Sequence, residues 1–142
     1  MATKRGLKRR YRRAERGQSL VEFVLVLPVF LVLLFAIIDF GMGFHAWITV
    51  TNASREGARI GAVGASTAEI ENKVRSSASS LDQAKLSVTV TNAQGAAGDP
   101  VTVDVAYQYD LITPLSNVLT LVGGGGIGSS LTFTATTQMR LE

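Results

Sequence analysis

The sequence predicts an α+β protein, in which a long N-terminal transmembrane helix is followed by a small domain of one helix and a three-stranded antiparallel sheet. Three observations point there. Phe23 to Ile38 reads FVLVLPVFLVLLFAII, sixteen residues without a charge. Ser66-Thr67-Ala68-Glu69 opens a stretch whose apolar residues recur at helical steps. Beyond it, three stretches alternate apolar and polar residues with period two, the pattern of half-buried strands.

The charges are segregated along the chain. Of 142 residues, 46% are hydrophobic and the net charge is +3. Residues 1–17 hold eight Lys and Arg against Glu15 alone, a charge of +7, and the remainder carries −4. The sequence pI near 9.6 therefore describes a basic arm ahead of an acidic body, and no nucleic-acid partner is expected. Zero cysteines exclude disulfides, iron–sulfur clusters and thiolate zinc sites, and a single histidine leaves no imidazole cluster. The expected organisation is a basic cytoplasmic leader at 1–17, a transmembrane and extended helix at 18–64, and an extracytoplasmic α+β domain at 65–142.

The sixteen-residue run is short for a hydrocarbon layer of about 30 Å. Extended from Leu20 to Phe44, it reaches about 37 Å as a helix and takes in Glu22 and Asp39, each close to an end. A small soluble domain could not cover Val24, Leu27, Phe30, Leu31, Leu34 and Phe35 on every side. The eight basic residues before the span keep the N-terminus in the cytoplasm, which puts the body outside the cytoplasmic membrane. A secretory signal peptide would need a small-residue cleavage site soon after the run, where the sequence has Asp39, Phe40, Phe44, His45 and Trp47.

At the junction of arm and span, Arg16-Gly17-Gln18-Ser19-Leu20-Val21-Glu22-Phe23 places a glycine five residues before a carboxylate inside the apolar run. That carboxylate is costly to desolvate and needs a reason. Pairing supplies one: a cut after Gly17 would create an ammonium on Gln18 able to neutralise Glu22 of a neighbouring subunit. The arrangement resembles the type IV prepilin signal, in which the glycine precedes the scissile bond and the acid is the fifth mature residue. Pro28, eight residues into the helix, leaves the Val24 carbonyl without its donor and is expected to act as a hinge.

Three blocks carry a narrower resemblance: Glu22-Phe23-Val24-Leu25-Val26-Leu27-Pro28, then Ile37-Ile38-Asp39-Phe40-Gly41, then Asn52-Ala53-Ser54-Arg55-Glu56-Gly57-Ala58-Arg59. In this order and spacing they resemble the TadE-like family of pseudopilins of tight-adherence (Flp-type) pili, over about residues 17–62. The closing Thr134 to Glu142 is also similar to that family's ending. The resemblance implies a pilin-like fold and a minor pilin or assembly component processed by a prepilin peptidase. It implies other pilins or pseudopilins and the assembly platform as further partners, and the pilus or cell surface as a destination after assembly.

Past the span, Asp39 is the most expensive residue to place in lipid, and it is expected near the outer interface or against a partner. Trp47 marks the outer boundary as an amphipathic anchor. Gly41, Gly43, Ala46, Ala53, Gly57, Ala58 and Gly61 would let another helix approach closely, and glycines near 61–64 equally suit a helix end. Arg55 and Arg59 lie four apart with Glu56 between them, so Asp39, Arg55, Glu56, Gly57 and Arg59 are candidate contacts to a partner, against the plainer reading of a solvated face.

In the body, the capping box at Ser66 opens a helix running to about Leu81, with Ile70, Val74, Ala78 and Leu81 on one stripe. Strands are expected at Leu86 to Val90, Val101 to Gln108 and Leu131 to Met139. Leu111 to Val122, with Pro114, suits a short irregular helix, and Gly123 to Gly126 a flexible linker rather than a phosphate cradle, since no Lys-Ser/Thr follows. Asp82, Asp99, Asp104 and Asp110 are scattered and lack a histidine or cysteine beside them. No enzyme, cofactor, metal or small-molecule substrate is expected. Two functions remain: a pseudopilin cleaved after Gly17, or an uncleaved single-span protein that scaffolds an envelope complex.

Overall fold

The computed structural model describes residues 5–121 and 130–142, with side chains from Gln18 onward except at positions 119 and 121. Helix α1 (Arg5–Ala62) is followed by α2 (Thr67–Ser77), a 3-10 turn (Gln83–Lys85), strands β1 (Leu86–Thr91) and β2 (Pro100–Asp110), helix α3 (Leu115–Leu121) and β3 (Ser130–Arg140). The α+β architecture expected from the sequence is therefore present, in the expected order. The linker expected at Gly123 to Gly126 lies outside the described residues.

Two regimes divide α1, which is about 87 Å long at 1.5 Å per residue. From Leu20 to Ile38 its large apolar side chains point outward on all sides, Phe23 at 63% and Leu25 at 70% exposure among them. One segment, Gln18–Ala62, is long and apolar enough to cross a membrane, and none of its most apolar window is buried. From Asp39 onward one stripe turns inward, and Ala46, Val50, Ala53, Ala58 and Ser54 are all but inaccessible. The second half of α1 is thus a core element of the folded body, so the core reaches well N-terminal of residue 65. The helix continues through Pro28 without a break.

The end of α1 is written in its glycines. Gly64 takes φ +84, the Gly64 amide donates to Gly61 and the Ala65 amide to Ile60. These are the paired bonds of a glycine-terminated helix end, in which only glycine adopts the left-handed backbone without strain. Two residues later Ser66 caps α2: its hydroxyl accepts from the Glu69 amide at 3.4 Å while the Glu69 carboxylate accepts from the Ser66 amide at 2.8 Å. The helix stops at Ser77, shorter than its apolar stripe predicts. Beyond it the Gln83 side-chain amide donates to the carbonyls of Ala78 and Leu81, so the turn is satisfied without further helix while Ala78 stays in the core.

The sheet has the order β1-β2-β3, antiparallel throughout. Leu86 faces Tyr107 and Val90 faces Val103 on one side of β2, and Val105 faces Ala135 and Tyr107 faces Phe133 on the other. Odd-numbered residues of the central strand, Val101 to Tyr109, are all buried under α1 and α2. The opposite face carries Thr89, Thr134, Thr136 and Gln138 to solvent, as period-two alternation requires.

Candidate functional site

The site nearest the N-terminus is the junction with the basic arm. The backbone is helical through Gly17 and Gln18, and the Gln18 amide donates to the Glu22 carboxylate at 3.3 Å, an exposed contact one helical turn apart. Glu22 is itself exposed. Both groups the sequence singles out for processing and pairing therefore lie on one face of α1.

Asp39 sits where the lipid-like surface of α1 ends. Its residue is 5% exposed, and its carboxylate is committed inside the chain. One oxygen accepts from the amides of Ile112 at 2.9 Å and Thr113 at 3.2 Å, and the other accepts from the Thr113 hydroxyl. The Asp39 carbonyl accepts from the Tyr109 hydroxyl at 3.3 Å. Burial, followed by the neighbouring Asp39 carboxylate, raises the Tyr109 phenol above its ordinary pKa. A carboxylate with three donors on it is held far more firmly than one that snorkels. Its effect is to fasten the loop between β2 and α3 to the helix.

Between these elements lies an apolar groove of about 550 Å³, within the roughly 300–1,000 Å³ of ligand-sized sites. Ala36, Phe40, Gly43, Phe44 and Trp47 form its α1 wall, a stripe at steps of four, three, one and three. Phe40 stacks on Phe44 with centroids 6.3 Å apart, and Phe44 meets Trp47 at 5.6 Å.

Gly57 and Gly61 of α1 are used within the chain. A Cβ on Gly57 would lie 2.5 Å from Val74 Cγ2, and one on Gly61 would lie 3.1 Å from both Ile70 and Val101. They let α2 and β2 approach α1 at backbone distance. In the same segment Glu56 pairs with Arg59 at 3.0 Å and stands 3.8 Å from Lys73 of α2, while the exposed Arg55 makes no ion pair among the described residues. Of the residues proposed for partner contact, Gly57 faces the core, Arg55 and Arg59 face outward, and Glu56 bridges the two helices.

Three residues that sequence reasoning did not single out complete the picture. Ser54 is wholly buried, donates to the Val103 carbonyl at 3.0 Å and shares a hydrogen bond with the Thr137 hydroxyl at 2.8 Å. Thr113 and Tyr109 hold Asp39. A polar residue on the apolar stripe of a helix was the one signal for Ser54. Nothing in the sequence around Thr113 links it to a carboxylate 74 positions earlier.

Two of the four scattered acids converge on one lysine. Asp110 pairs with Lys85 at 2.7 Å, and Asp82 stands 4.0 Å from the same ammonium, which the Asp110 carboxylate raises above the usual lysine range. Among the described residues no group of three or more His, Asp or Glu could hold a metal ion.

Residues 17–59 match the model of a known family, described as TadE-like protein. The matched stretch begins at the Gly17 junction, passes through Asp39 and ends at Arg59, so it covers the three blocks on which the resemblance rests. No curated protein and no solved structure matches the chain. The match covers less than a third of the chain, and it overlaps the segment Gln18–Ala62, the one helix among the described residues long and apolar enough to cross a membrane.

Proposed function

We propose that the chain is a minor pilin or pseudopilin of a tight-adherence pilus, inserted in the cytoplasmic membrane with its arm inside and its α+β body outside. A prepilin peptidase cuts after Gly17, and the mature helix then packs among those of other pilins on the assembly platform. One observation carries this reading: between Leu20 and Ile38 twelve large apolar side chains of α1, Phe23, Leu25 and Val29 among them, stand exposed just after the Gly17–Gln18 junction. Lipid covers such a surface before assembly and neighbouring helices cover it afterwards, as both are apolar environments.

Glu22 has a role in this scheme that it lacks in an isolated chain. At about 4 Å, opposite charges attract by about 4 kcal/mol at an effective dielectric of 20. A free Gln18 ammonium can then draw Glu22 of the next subunit into register. Catalysis belongs to the peptidase and the assembly machinery, and the chain is their substrate and structural component.

The second reading is an uncleaved single-span scaffold of an envelope complex. The unbroken helix through Gly17 and Gln18 favours it, because a peptidase must unwind that backbone before cutting. N-terminal sequencing of the full chain co-expressed with a prepilin peptidase separates the two. Cleavage yields Gln18 as the first residue, and Gly17→Val blocks it; an intact leader in cells that mature a known prepilin favours the scaffold. Glu22→Ala leaves insertion intact and impairs incorporation into pili.

A further inference from the structure

We propose that the apolar groove beside Asp39 holds an acyl chain of a lipid from the adjoining membrane leaflet, drawn up between α1 and the sheet so that the body is seated on the bilayer. The inference rests on the membrane-spanning reading of α1 and is independent of cleavage at Gly17.

Depth is the first support. Twenty residues span about 30 Å of hydrocarbon, so a span that starts at Leu20 reaches its outer edge near Asp39. Ala36 then lies within the acyl layer, and Trp47 lies about 12 Å beyond Asp39. The α1 wall is therefore continuous with the lipid-facing surface at one end and rises past the headgroups at the other. A lipid chain can enter without crossing water.

The chemistry of the lining is the second support. Leu131, Phe133, Leu111 and Leu115 oppose the α1 stripe, and Tyr109 meets Phe133 with ring centroids 6.0 Å apart. Asp39, Tyr109 and Trp47 carry the wall's polar side-chain groups, and the first two are spent within the chain: the carboxylate on Ile112 and Thr113, the phenol on the Asp39 carbonyl. No buried side-chain polar atom among the described residues lacks a partner. The groove is thus apolar except for the Trp47 indole N–H, and Phe44 at 50%, Trp47 at 45% and Leu131 at 45% exposure leave apolar surface uncovered. The loop that Asp39 fastens also points Ile112, 62% exposed, outward at the same level.

Trp47 is the chain's single tryptophan, so its emission reports on the groove alone. The full chain is reconstituted in phosphatidylcholine vesicles with or without bromine on the acyl chains, which quench indole on contact. Trp47 should lose most of its emission in the brominated lipid, and Leu131→Glu or Phe44→Gln, which set a polar group in the groove, should restore much of it. Equal quenching in the wild type and in both variants would mean that Trp47 merely lies in the acyl layer, and would overturn the proposal. A Phe30→Trp, Trp47→Phe chain reports the bilayer centre. Quenching there with none at Trp47 leaves the span intact and the groove without lipid, also overturning it; disulfide formation between copies carrying Phe40→Cys would then identify a second helix as the occupant. No quenching at position 30 would remove the membrane reading itself, and the groove lipid with it.

Discussion

The Asp39 carboxylate of α1 accepts hydrogen bonds from both the amide and the hydroxyl of Thr113. This contact converts the costliest residue of the apolar helix into the clamp that sets the body's position on it. In lipid an isolated aspartate is expelled or neutralised; with three donors on it, it is part of the fold.

Asp39→Ala strands the Ile112 and Thr113 amides and the Thr113 hydroxyl. Each buried donor without an acceptor costs about 1–3 kcal/mol. Hydrogen exchange at the two amides in detergent micelles should accelerate selectively, with β1 and β2 amides little changed. Asp39→Asn, which keeps one acceptor oxygen, should fall between.

Gly57→Ala should destabilise the body although alanine is the better helix former. Its Cβ would stand 2.5 Å from Val74 Cγ2, and overpacking of this kind costs about 1–3 kcal/mol. Adding Val74→Ala should recover part of the loss, and Gly41→Ala, where a Cβ meets nothing within 4 Å, should be neutral or stabilising. Thermal unfolding of the four chains checks the ordering.

Ser54→Ala should lower stability by about 1–2 kcal/mol, because Ser54 links α1 to β2 through Val103 and to β3 through Thr137. Thr137→Val should cost less when added to Ser54→Ala than when made alone, since the first change has already removed its partner. A double-mutant cycle by denaturant unfolding measures that coupling.

Acid should weaken the start of α2. Hydrogen bonds from the Ser66 backbone and then its side chain hold the Glu69 carboxyl below its ordinary pKa. A group whose pKa is depressed by folding contributes stability that is present above its unfolded value, near pH 4.3, and is lost as pH falls through the folded value. Stability should therefore decline below about pH 5, and Glu69→Gln should flatten that part of the profile in a pH series of thermal melts.

Much of this molecule was legible in local patterns. The charge-free run, the segregated basic arm, the Ser66 capping box and the alternation in the three strands each depend on residues a few positions apart, and local periodicity reports them faithfully. The three blocks between residues 17 and 59, over which the family model matches, were legible for the same reason. The glycines near residue 64 left a helix end and a helix contact equally open, and the structure uses both: Gly64 takes the left-handed backbone that ends α1, while Gly61 packs against Ile70 and Val101.

What only the tertiary structure decided is where the polar and small residues of α1 go. Asp39 could have faced a neighbouring subunit, and Gly57 and Gly61 could have received a foreign helix; they meet Thr113, Val74, Ile70 and Val101 of their own chain. Ser54, which looks like one more small residue, is a buried link between three elements. These assignments require partners 9 to 83 positions away. A sequence states each residue's need for an acceptor, a donor or a small neighbour, and only the packing of helix against sheet determines which distant group meets it.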